Sequence, residues 1–324
     1  MSGLYIGALD IGGTKVAATV ANAKGPLARI TQPTVKTGTP RALGEQVAAM
    51  LHAVCDQAGI RHDVLQTVGV SSCGPFVHMD GMVALVTPNI CGGLKHSADL
   101  PNDWTIIPLE QVMREHFKTI VIENDCVTAL VAERTFGAVQ DEPNCVYATW
   151  STGIGFGLCV DGHVLRGKHG NAGHAGHMLM DRQSVAECGC GNLGDLEGMI
   201  SGRNVGAGRG MSAVEIFTAA RSGDAAAQAI AVEAAQLFGR ALYNLTATLD
   251  VRTFVIGGSV WIHHGDWLLP YVRKEIESRL PALTEGVSIV PAGLEGLVAD
   301  VGALSHVMPV EWIPEWRKTQ PWRK

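Results

Sequence analysis

The stretch that sets the fold lies near the start of the chain and reads Leu9-Asp10-Ile11-Gly12-Gly13-Thr14-Lys15. An apolar run, 4–9, leads into it and a β-prone run, 16–20, follows it. This pattern predicts a β-hairpin with a polar, glycine-rich turn. Adjacent glycines lack the Cβ atoms that would keep a ligand from the main chain, so backbone N–H groups can bind phosphate oxygens. The alternative is a hairpin turn that merely needs glycine.

Three polar side chains of the same stretch support the phosphate interpretation. Thr14 adds a hydroxyl donor and Lys15 adds a positive charge. Asp10 stands at the end of the first predicted strand, where a carboxylate can hold the water shell of Mg²⁺. Together with the glycines they predict a loop that binds a nucleotide phosphate.

The composition is that of a globular protein. Of the 324 residues, 47% are apolar and 17% are charged, and the chain is long enough for two domains. The net charge of −6, from 25 basic and 31 acidic residues, argues against binding to nucleic acid or to a membrane surface, because both need clustered Lys and Arg. No apolar run approaches the roughly 20 residues that span a bilayer, and no signal-peptide pattern is present.

Eight cysteines fall into two groups. Six are scattered singly and are expected to be reduced, buried thiols, so a cytoplasmic location is predicted. They are Cys55, Cys73, Cys91, Cys126, Cys145 and Cys159. The other two, Cys188 and Cys190, lie in a glycine-rich segment, 170–202, that is dense with potential ligands.

The opening pattern recurs later in the chain. Residues 145–160 again read as apolar strand, Thr and Gly turn, apolar strand, with Thr152, Gly153 and Gly155 at the turn. The recurrence suggests two related halves, each with a phosphate-binding hairpin. One nucleotide bound by both loops would bridge two domains. A further glycine pair, Gly257-Gly258, ends a strand predicted over 254–259.

A buried-strand pattern at 120–122 delivers Glu123, Asn124 and Asp125 at its C-terminal end. Open α/β sheets place their ligands at such strand ends. Polar side chains are costly to bury, so these are either helix caps or functional groups. Asp125 could simply be the N-cap of the helix predicted over 129–136. Asn124 beside it forms a pair suited to adjacent hydroxyls of a ligand.

The remaining patterns predict alternating strands and helices. Ser212 opens a capping-box sequence, and Gly59 is a helix stop. The segment 87–93 is either a binding loop or an ordinary connection. The tail from Pro309, rich in Trp and Pro, is a packed arm, an oligomer contact or a frayed end. Further strands are predicted at 27–35, 68–75 and 287–290, and further helices at 43–58, 224–249, 267–280 and 298–307.

These segments, taken in order, resemble the ROK family of sugar kinases. The resemblance implies an α/β, two-lobed, actin-like (ribonuclease H-like) fold with duplicated β-hairpin phosphate loops. It also implies ATP in the cleft and transfer of its γ-phosphoryl group to a sugar hydroxyl, usually O6. The predicted domains are a small N-terminal lobe (1–122), a large lobe (123–296), and a C-terminal helix with a tail (297–324). The motifs that carry the resemblance are 10–15, 123–125, 151–155, 176–177, 188–191, Glu197, 201–202 and 256–259.

The resemblance implies roles for individual residues. Asp125 matches the general base that takes the proton of the sugar hydroxyl. The matching sugar contacts are Asn124, His177 and Glu197. The first phosphate loop is matched by Gly12, Gly13, Thr14 and Lys15, the second by Thr152, Gly153 and Gly155, and the loop near the nucleoside by Gly257 and Gly258. ATP and Mg²⁺ are the implied cofactors.

The first departure from the family pattern concerns a metal site. The family usually binds a structural Zn²⁺ through one His and three Cys. His177, Cys188 and Cys190 are present here, but the third Cys position is Asp195. An aspartate oxygen can ligate zinc in tetrahedral geometry. Two interpretations stay open: a retained structural zinc, or a metal-free loop held by hydrogen bonds.

The second departure concerns the sugar site. His174 stands where typical glucokinases of the family have Glu. A carboxylate accepts hydrogen bonds from two neighbouring hydroxyls, whereas a neutral imidazole offers one donor and one acceptor and suits an acetamido carbonyl. A His here also resembles the bacterial N-acetylmannosamine kinases of the family. The alternative is that His174 only retunes the affinity for glucose.

The sequence therefore predicts an ATP-dependent 6-kinase whose substrate is a hexose, with N-acetylmannosamine preferred. Glucokinase or another hexokinase of the family is the alternative. The alternative from a different class is a sugar-binding regulator without a DNA-binding domain. A repressor is not expected, because only nine residues precede Asp10. The resemblance also implies a homodimer or homotetramer. The predicted partners are the small-molecule sugar and ATP, and the net charge of −6 predicts binding to neither nucleic acid nor membrane.

Overall fold

A computed structural model describes residues 4–94 and 100–323. The strands are β1 (Ile6–Ile11), β2 (Lys15–Asn22), β3 (Gly25–Pro33), β4 (Thr67–Ser72), β5 (Phe76–Met79), β6 (Met82–Leu85), β7 (Thr119–Asn124), β8 (Cys145–Trp150), β9 (Ile154–Val160), β10 (His163–Val164), β11 (Thr253–Gly257) and β12 (Ser288–Pro291). The α-helices are α1 (Ala42–Ala58), α2 (Leu109–Met113), α3 (Asp125–Thr135), α4 (Leu196–Ile200), α5 (Ala213–Arg221), α6 (Ala225–Leu249), α7 (Ser259–Glu277), α8 (Pro281–Thr284), α9 (Val298–Ser305) and α10 (Ile313–Thr319). Within residues 4–94 and 100–323, no helix combines the length and the apolar character that crossing a membrane requires.

The chain divides into two compact units. The first comprises Met1–Gly137, Arg166–Ala172 and Gly296–Lys324, and the second comprises Ala138–Leu165 and Gly173–Glu295. This division differs from the predicted boundary after residue 122. The reason is that β7 belongs to the sheet of the first unit and α3 packs against α9 of the same unit. The strand–helix junction that carries Asn124 and Asp125 therefore lies in the first unit.

The first unit is built on a five-stranded sheet in the order β3-β2-β1-β4-β7. Strands β1, β2 and β3 are antiparallel neighbours, whereas β4 and β7 join parallel to β1. The hairpin predicted from the opening motif is thus present. Helix α9 lies directly on the sheet, because a Cβ on Gly69 would come within 1.9 Å of the carbonyl oxygen of Ala303. Apolar side chains of β1, β2 and α1 form the core on this sheet, among them Leu9, Val16, Val47 and Leu51.

The second unit repeats this topology. Its sheet has the order β10-β9-β8-β11-β12, with an antiparallel hairpin of β8 and β9 followed by parallel strands β11 and β12. The long helix α6 packs on it, and the rings of Trp150 and Phe238 stack with centroids 4.8 Å apart. The duplicated hairpins predicted from the recurring glycine turns are present in the two sheets.

Local signals placed most element boundaries correctly. Gly59 ends α1 in the left-handed conformation, with φ 68°, where only glycine is unstrained. Ser212 and Glu215 form the predicted capping box at α5. Two predicted helices begin earlier than expected, α3 at Asp125 and α7 at Ser259. Helix α3 follows directly on β7, and a single residue, Gly258, separates β11 from α7, so no connecting loop lies between strand and helix in either place.

The C-terminal tail is a packed arm of the first unit. The indole N–H of Trp316 donates to the carbonyl oxygen of Ala23 at 3.0 Å, and Arg317 donates to that of Thr135 at 2.7 Å. The rings of Trp322 and Phe136 lie 4.9 Å apart. Of the three interpretations left open by the sequence, packing is the one observed.

Candidate active site

The turn between β1 and β2 is held by the main chain around it. The hydroxyl of Thr34 donates to the carbonyl oxygen of Gly12 at 2.7 Å, and the amide of Thr34 donates to that of Thr14 at 3.1 Å. A Cβ on Gly13 would lie 2.9 Å from the Cβ of Asn89. The segment 87–93 therefore packs against the turn, and close packing is one reason for Gly13. The side chains of Thr14 and Lys15 are exposed, as ligand contacts require.

Asp10 stands near the end of β1 in a negatively charged environment. Burial, followed by the charges of Asp300 and Asp125, raises the pKa of Asp10 to about 6, while Lys15 lowers it. Asp300 is itself paired with Arg29, whose Nε lies 3.0 Å from its Oδ1. A cation would relieve the repulsion among these carboxylates. This surrounding fits the predicted role of Asp10 in holding Mg²⁺, and Asp300 is a neighbour that the sequence did not reveal.

Asp10→Asn is expected to stabilise the metal-free protein at pH 8 by about 1–3 kcal/mol. The pKa of Asp10 in the folded protein, about 6, lies above the ordinary 3.8. Ionisation of this carboxyl therefore lowers the free energy of unfolding as the pH rises from about 3.8 to about 6. About 1.36 kcal/mol per pKa unit sets the upper value. Urea unfolding in a chelator at pH 8 and pH 5 measures the effect, which is smaller at pH 5. Equal or lower stability of the variant at pH 8 would contradict the charge environment described.

The junction of β7 and α3 presents the predicted base. The side-chain oxygen of Asn124 accepts the amide of Cys126 at 3.0 Å and caps α3. Asp125 is therefore the first residue of the helix and not its N-cap, although its Oδ1 also accepts that amide at 2.8 Å. Asn124 is buried and Asp125 is exposed. The positive end of the helix stabilises the charged form of a carboxylate at this position.

The second glycine turn lies between β8 and β9. The amide of Ser151 donates to the carbonyl oxygen of Gly153 at 2.9 Å, and the amide of Arg203 donates to that of Thr152 at 3.2 Å. A Cβ on Gly153 would come within 2.7 Å of the carboxylate of Glu197. Gly155 lies within β9, paired with Thr149, so it is not part of the turn itself.

The glycine pair at the end of β11, Gly257 and Gly258, lies beside the end of β8. Gly258 has φ 91°, and a Cβ there would lie 2.4 Å from the carbonyl oxygen of Trp150. A Cβ on Gly257 would lie 2.6 Å from the hydroxyl of Tyr147. Helix α7 begins at the next residue. Both predicted nucleotide segments of the second unit are thus close to the carboxyl end of β8, the edge where α/β sheets bind ligands.

Three predicted sugar contacts of the second unit are neighbours. The rings of His174 and His177 stack with centroids 6.0 Å apart, at the ends of one short 3-10 turn. Glu197 accepts the amide of Ile154 at 2.9 Å through one oxygen and the thiol of Cys188 at 3.3 Å through the other. Glu197 therefore connects the glycine turn with the cysteine pair.

The four predicted metal ligands form one cluster. Their ligand atoms all lie within 4.8 Å of one another. Nδ1 of His177 is 3.1 Å from Oδ2 of Asp195 and 3.6 Å from the sulfur of Cys188 and of Cys190. A zinc tetrahedron with bonds of 2.0–2.3 Å has edges of about 3.3–3.8 Å, and the three distances from His177 are close to these edges. The donor types and these distances suit Zn²⁺. Asp195 is fully buried, and its other oxygen accepts the amide of Gly198 at 2.7 Å and caps α4.

Comparison with known proteins gives consistent matches. A family model described as the ROK family matches residues 6–308. A relative from Shigella boydii serotype 18, named N-acetylmannosamine kinase, is 35% identical over 267 residues, which are 80% of this chain and 84% of the relative. The solved ROK hexokinase of Thermus thermophilus has a TM-score of 0.77 and 28% identity, covering 94% of this chain and 97% of its own. A ROK family glucokinase from Streptomyces griseus, solved with glucose and AMPPNP, has a TM-score of 0.69 and 26% identity, covering 94% and 99%.

Proposed function

Because the chain belongs to the ROK family, we propose that it is an ATP-dependent kinase that phosphorylates the 6-hydroxyl group of a hexose. We propose N-acetylmannosamine as its preferred acceptor. The predicted actin-like α/β fold class is confirmed by the matched ROK structures. The observation that carries the proposal is the exposed carboxylate of Asp125 at the first turn of α3, directly after the buried cap Asn124. This is the arrangement that a positioned base for a hydroxyl requires.

In the proposed mechanism, Asp125 accepts the proton of the sugar hydroxyl as that oxygen attacks the γ-phosphorus. A positioned base contributes about 10²–10⁴ to the rate of such a step. Asn124 orients the acceptor through its amide, since its side-chain oxygen is used by the helix cap. Phosphoryl transfer otherwise depends on positioning and on neutralisation of charge, so the remaining residues bind and orient.

Each unit carries glycine segments that we propose as nucleotide contacts, and each set lies within its own unit. Main-chain amides of Gly12 and Gly13, with Thr14 and Lys15, bind phosphate oxygens. The second turn contributes Thr152 and Gly153, with Gly155 behind it in β9, and Gly257 with Gly258 contacts the nucleoside. Asp10 would hold Mg²⁺, which neutralises the charge of the phosphates when it is bound.

In the second unit, the proposed sugar contacts are His174, His177 and Glu197; in the first unit, the proposed sugar contact is Asn124. His177 directs Nδ1 to the metal cluster, so a sugar hydroxyl would meet Nε2. The metal would be a structural zinc that fixes the orientation of the His177 ring, as ligands on one ring nitrogen do. Zinc takes no part in the transfer itself.

A panel of sugars tests the function, and His174→Glu tests the specificity. ATP-dependent ADP release is expected with N-acetylmannosamine at a higher kcat/KM than with glucose. His174→Glu is expected to shift this ratio toward glucose by about tenfold or more, because a carboxylate suits two hydroxyls and not an acetamido carbonyl. His163→Glu, an exposed histidine of the same unit, is the control.

Each outcome of this panel is informative. A wild-type preference for glucose would favour the glucokinase alternative, as the matched glucokinase structure suggests. Activity on neither sugar would direct the search to other hexoses. No activity on any sugar, with ATP bound, would favour the sugar-binding regulator. The homodimer or homotetramer and the cytoplasmic location stay predictions.

A further inference from the structure

The end of β7 is held by a side chain from a distant loop. Glu123, the residue before Asn124, is buried, and its carboxylate forms an ion pair with the guanidinium of Arg166. Among the strands of residues 4–94 and 100–323, β7 pairs with β4 on one side and has no strand on the other, so it is the edge strand of the sheet. An edge strand is restrained by hydrogen bonds on one side only, so a side-chain contact at its end matters more to its position.

The loop that carries Arg166 is itself fixed to the first unit. The amide of Ala172 donates to the carbonyl oxygen of Arg166 at 3.0 Å and closes the loop. The side chain of Asn171 makes two hydrogen bonds of 2.8 Å with the main chain of Phe76, accepting from its amide and donating to its carbonyl oxygen. Arg166 therefore approaches Glu123 from a constrained backbone, at a small entropic cost.

The other side of the junction is held by α9. The hydroxyl of Thr128, in the first turn of α3, is 3.0 Å from Nε2 of His306. A Cβ on Gly302 would lie 2.5 Å from the Thr128 side chain, so the two helices are in close contact. Burial, with the charge of Arg166, lowers the pKa of His306 to about 4. The ring is neutral at pH 7 and suits a hydrogen bond with a hydroxyl.

We propose that Arg166 is a positioning residue for the phosphoryl transfer: its pairing with Glu123 fixes the strand end from which Asn124 and Asp125 project. The proposal rests on the proposed function. Without the guanidinium, the buried carboxylate of Glu123 loses the ion pair that holds it, and a buried charge without its partner is drawn toward solvent. That movement displaces the next two residues. A displacement of about 1 Å at a reacting group can cost about 10² in rate.

The test compares Arg166→Gln with Arg166→Lys and a control. Arg166→Gln is expected to lower kcat by about 10- to 100-fold, with the KM for ATP within about twofold of wild type, because the nucleotide turns are untouched. Arg166→Lys keeps a charge at Glu123 and is expected to recover part of the loss. Lys168→Gln removes an exposed charge two residues along the same loop and is expected to have wild-type kcat.

Hydrogen–deuterium exchange gives a second readout that does not need activity. The amide of Cys126 donates hydrogen bonds to the side chains of Asn124 and Asp125. We expect this amide to exchange faster in Arg166→Gln than in wild type or Lys168→Gln. Faster exchange in a protein that phosphorylates no sugar would reject the proposed function and retain the positioning role. An active Arg166→Gln enzyme with kcat within twofold of wild type, or equal losses in Lys168→Gln, would overturn the inference.

Discussion

Asp125→Ala is expected to lower kcat by about 10²–10⁴-fold, the contribution that a positioned general base makes to such a reaction. The sugar hydroxyl has a pKa far above neutrality, so its proton must leave as the oxygen attacks. Asp125 is exposed at the first turn of α3, so its truncation removes little buried surface. The helix keeps its cap, because Asn124 and not Asp125 is the N-cap. The variant is therefore expected to fold.

Steady-state kinetics with saturating ATP and sugar measures this effect, and thermal unfolding checks the fold. Asp125→Asn provides the nearly isosteric variant, in which the oxygen that accepts the Cys126 amide is retained. Asp63→Ala is the control, since Asp63 is an exposed aspartate of the same unit that pairs only with exposed Arg61 among the contacts described. A folded Asp125→Ala protein with wild-type kcat would exclude Asp125 as the base.

The second large effect that we expect is the loss of bound metal when a ligand of the four-residue cluster is replaced. Protein purified without chelator is expected to hold about one zinc per chain. Asp195→Asn is expected to reduce the zinc content to near zero, because the side-chain amide of Asn lacks the negative charge of a carboxylate and binds zinc more weakly. The same substitution keeps an oxygen for the amide of Gly198, and Asn is as good an N-cap as Asp. Any loss of thermal stability in Asp195→Asn then reflects loss of the bound metal and not loss of the helix cap.

Asp195→Cys has the opposite effects on the metal site and on the helix cap. It supplies a thiolate for zinc but removes the cap of α4, which costs about 1 kcal/mol. Metal content by mass spectrometry and thermal unfolding with and without chelator separate the four proteins: wild type, the two variants, and Asp181→Asn as an exposed control. A zinc content near zero in the wild type would leave the cluster as a loop held by hydrogen bonds.

Much of the fold could be predicted because its signals are local. A polar, glycine-containing turn between two β-prone apolar runs indicates a hairpin, and both hairpins predicted in this way are present. Gly59 and Ser212 end and begin helices through contacts within a few residues. The strand end at 123–125 was visible for the same reason, since an apolar run stops at three polar side chains.

The candidate site was predicted in part. The cluster of His177, Cys188, Cys190 and Asp195 follows from ligand types that are close in sequence, and the structure brings the four together. The nearness of Asp300 to Asp10 had no such signal, because it depends on how α9 lies on the sheet. The pairing of Arg166 with Glu123 likewise joins two segments that no pattern connects.

The sequence by itself determined the glycine turns and the alternation of strands and helices, and it supplied the residues that we propose as contacts for phosphate, sugar and metal. Turn geometry and strand periodicity are short-range properties, so they can be read from neighbouring residues. Only the tertiary structure decided that Asp300 lies near Asp10 and that the tail packs on Thr135 and Ala23. These outcomes depend on which surfaces exclude water together, and that choice is made by side chains far apart in the chain.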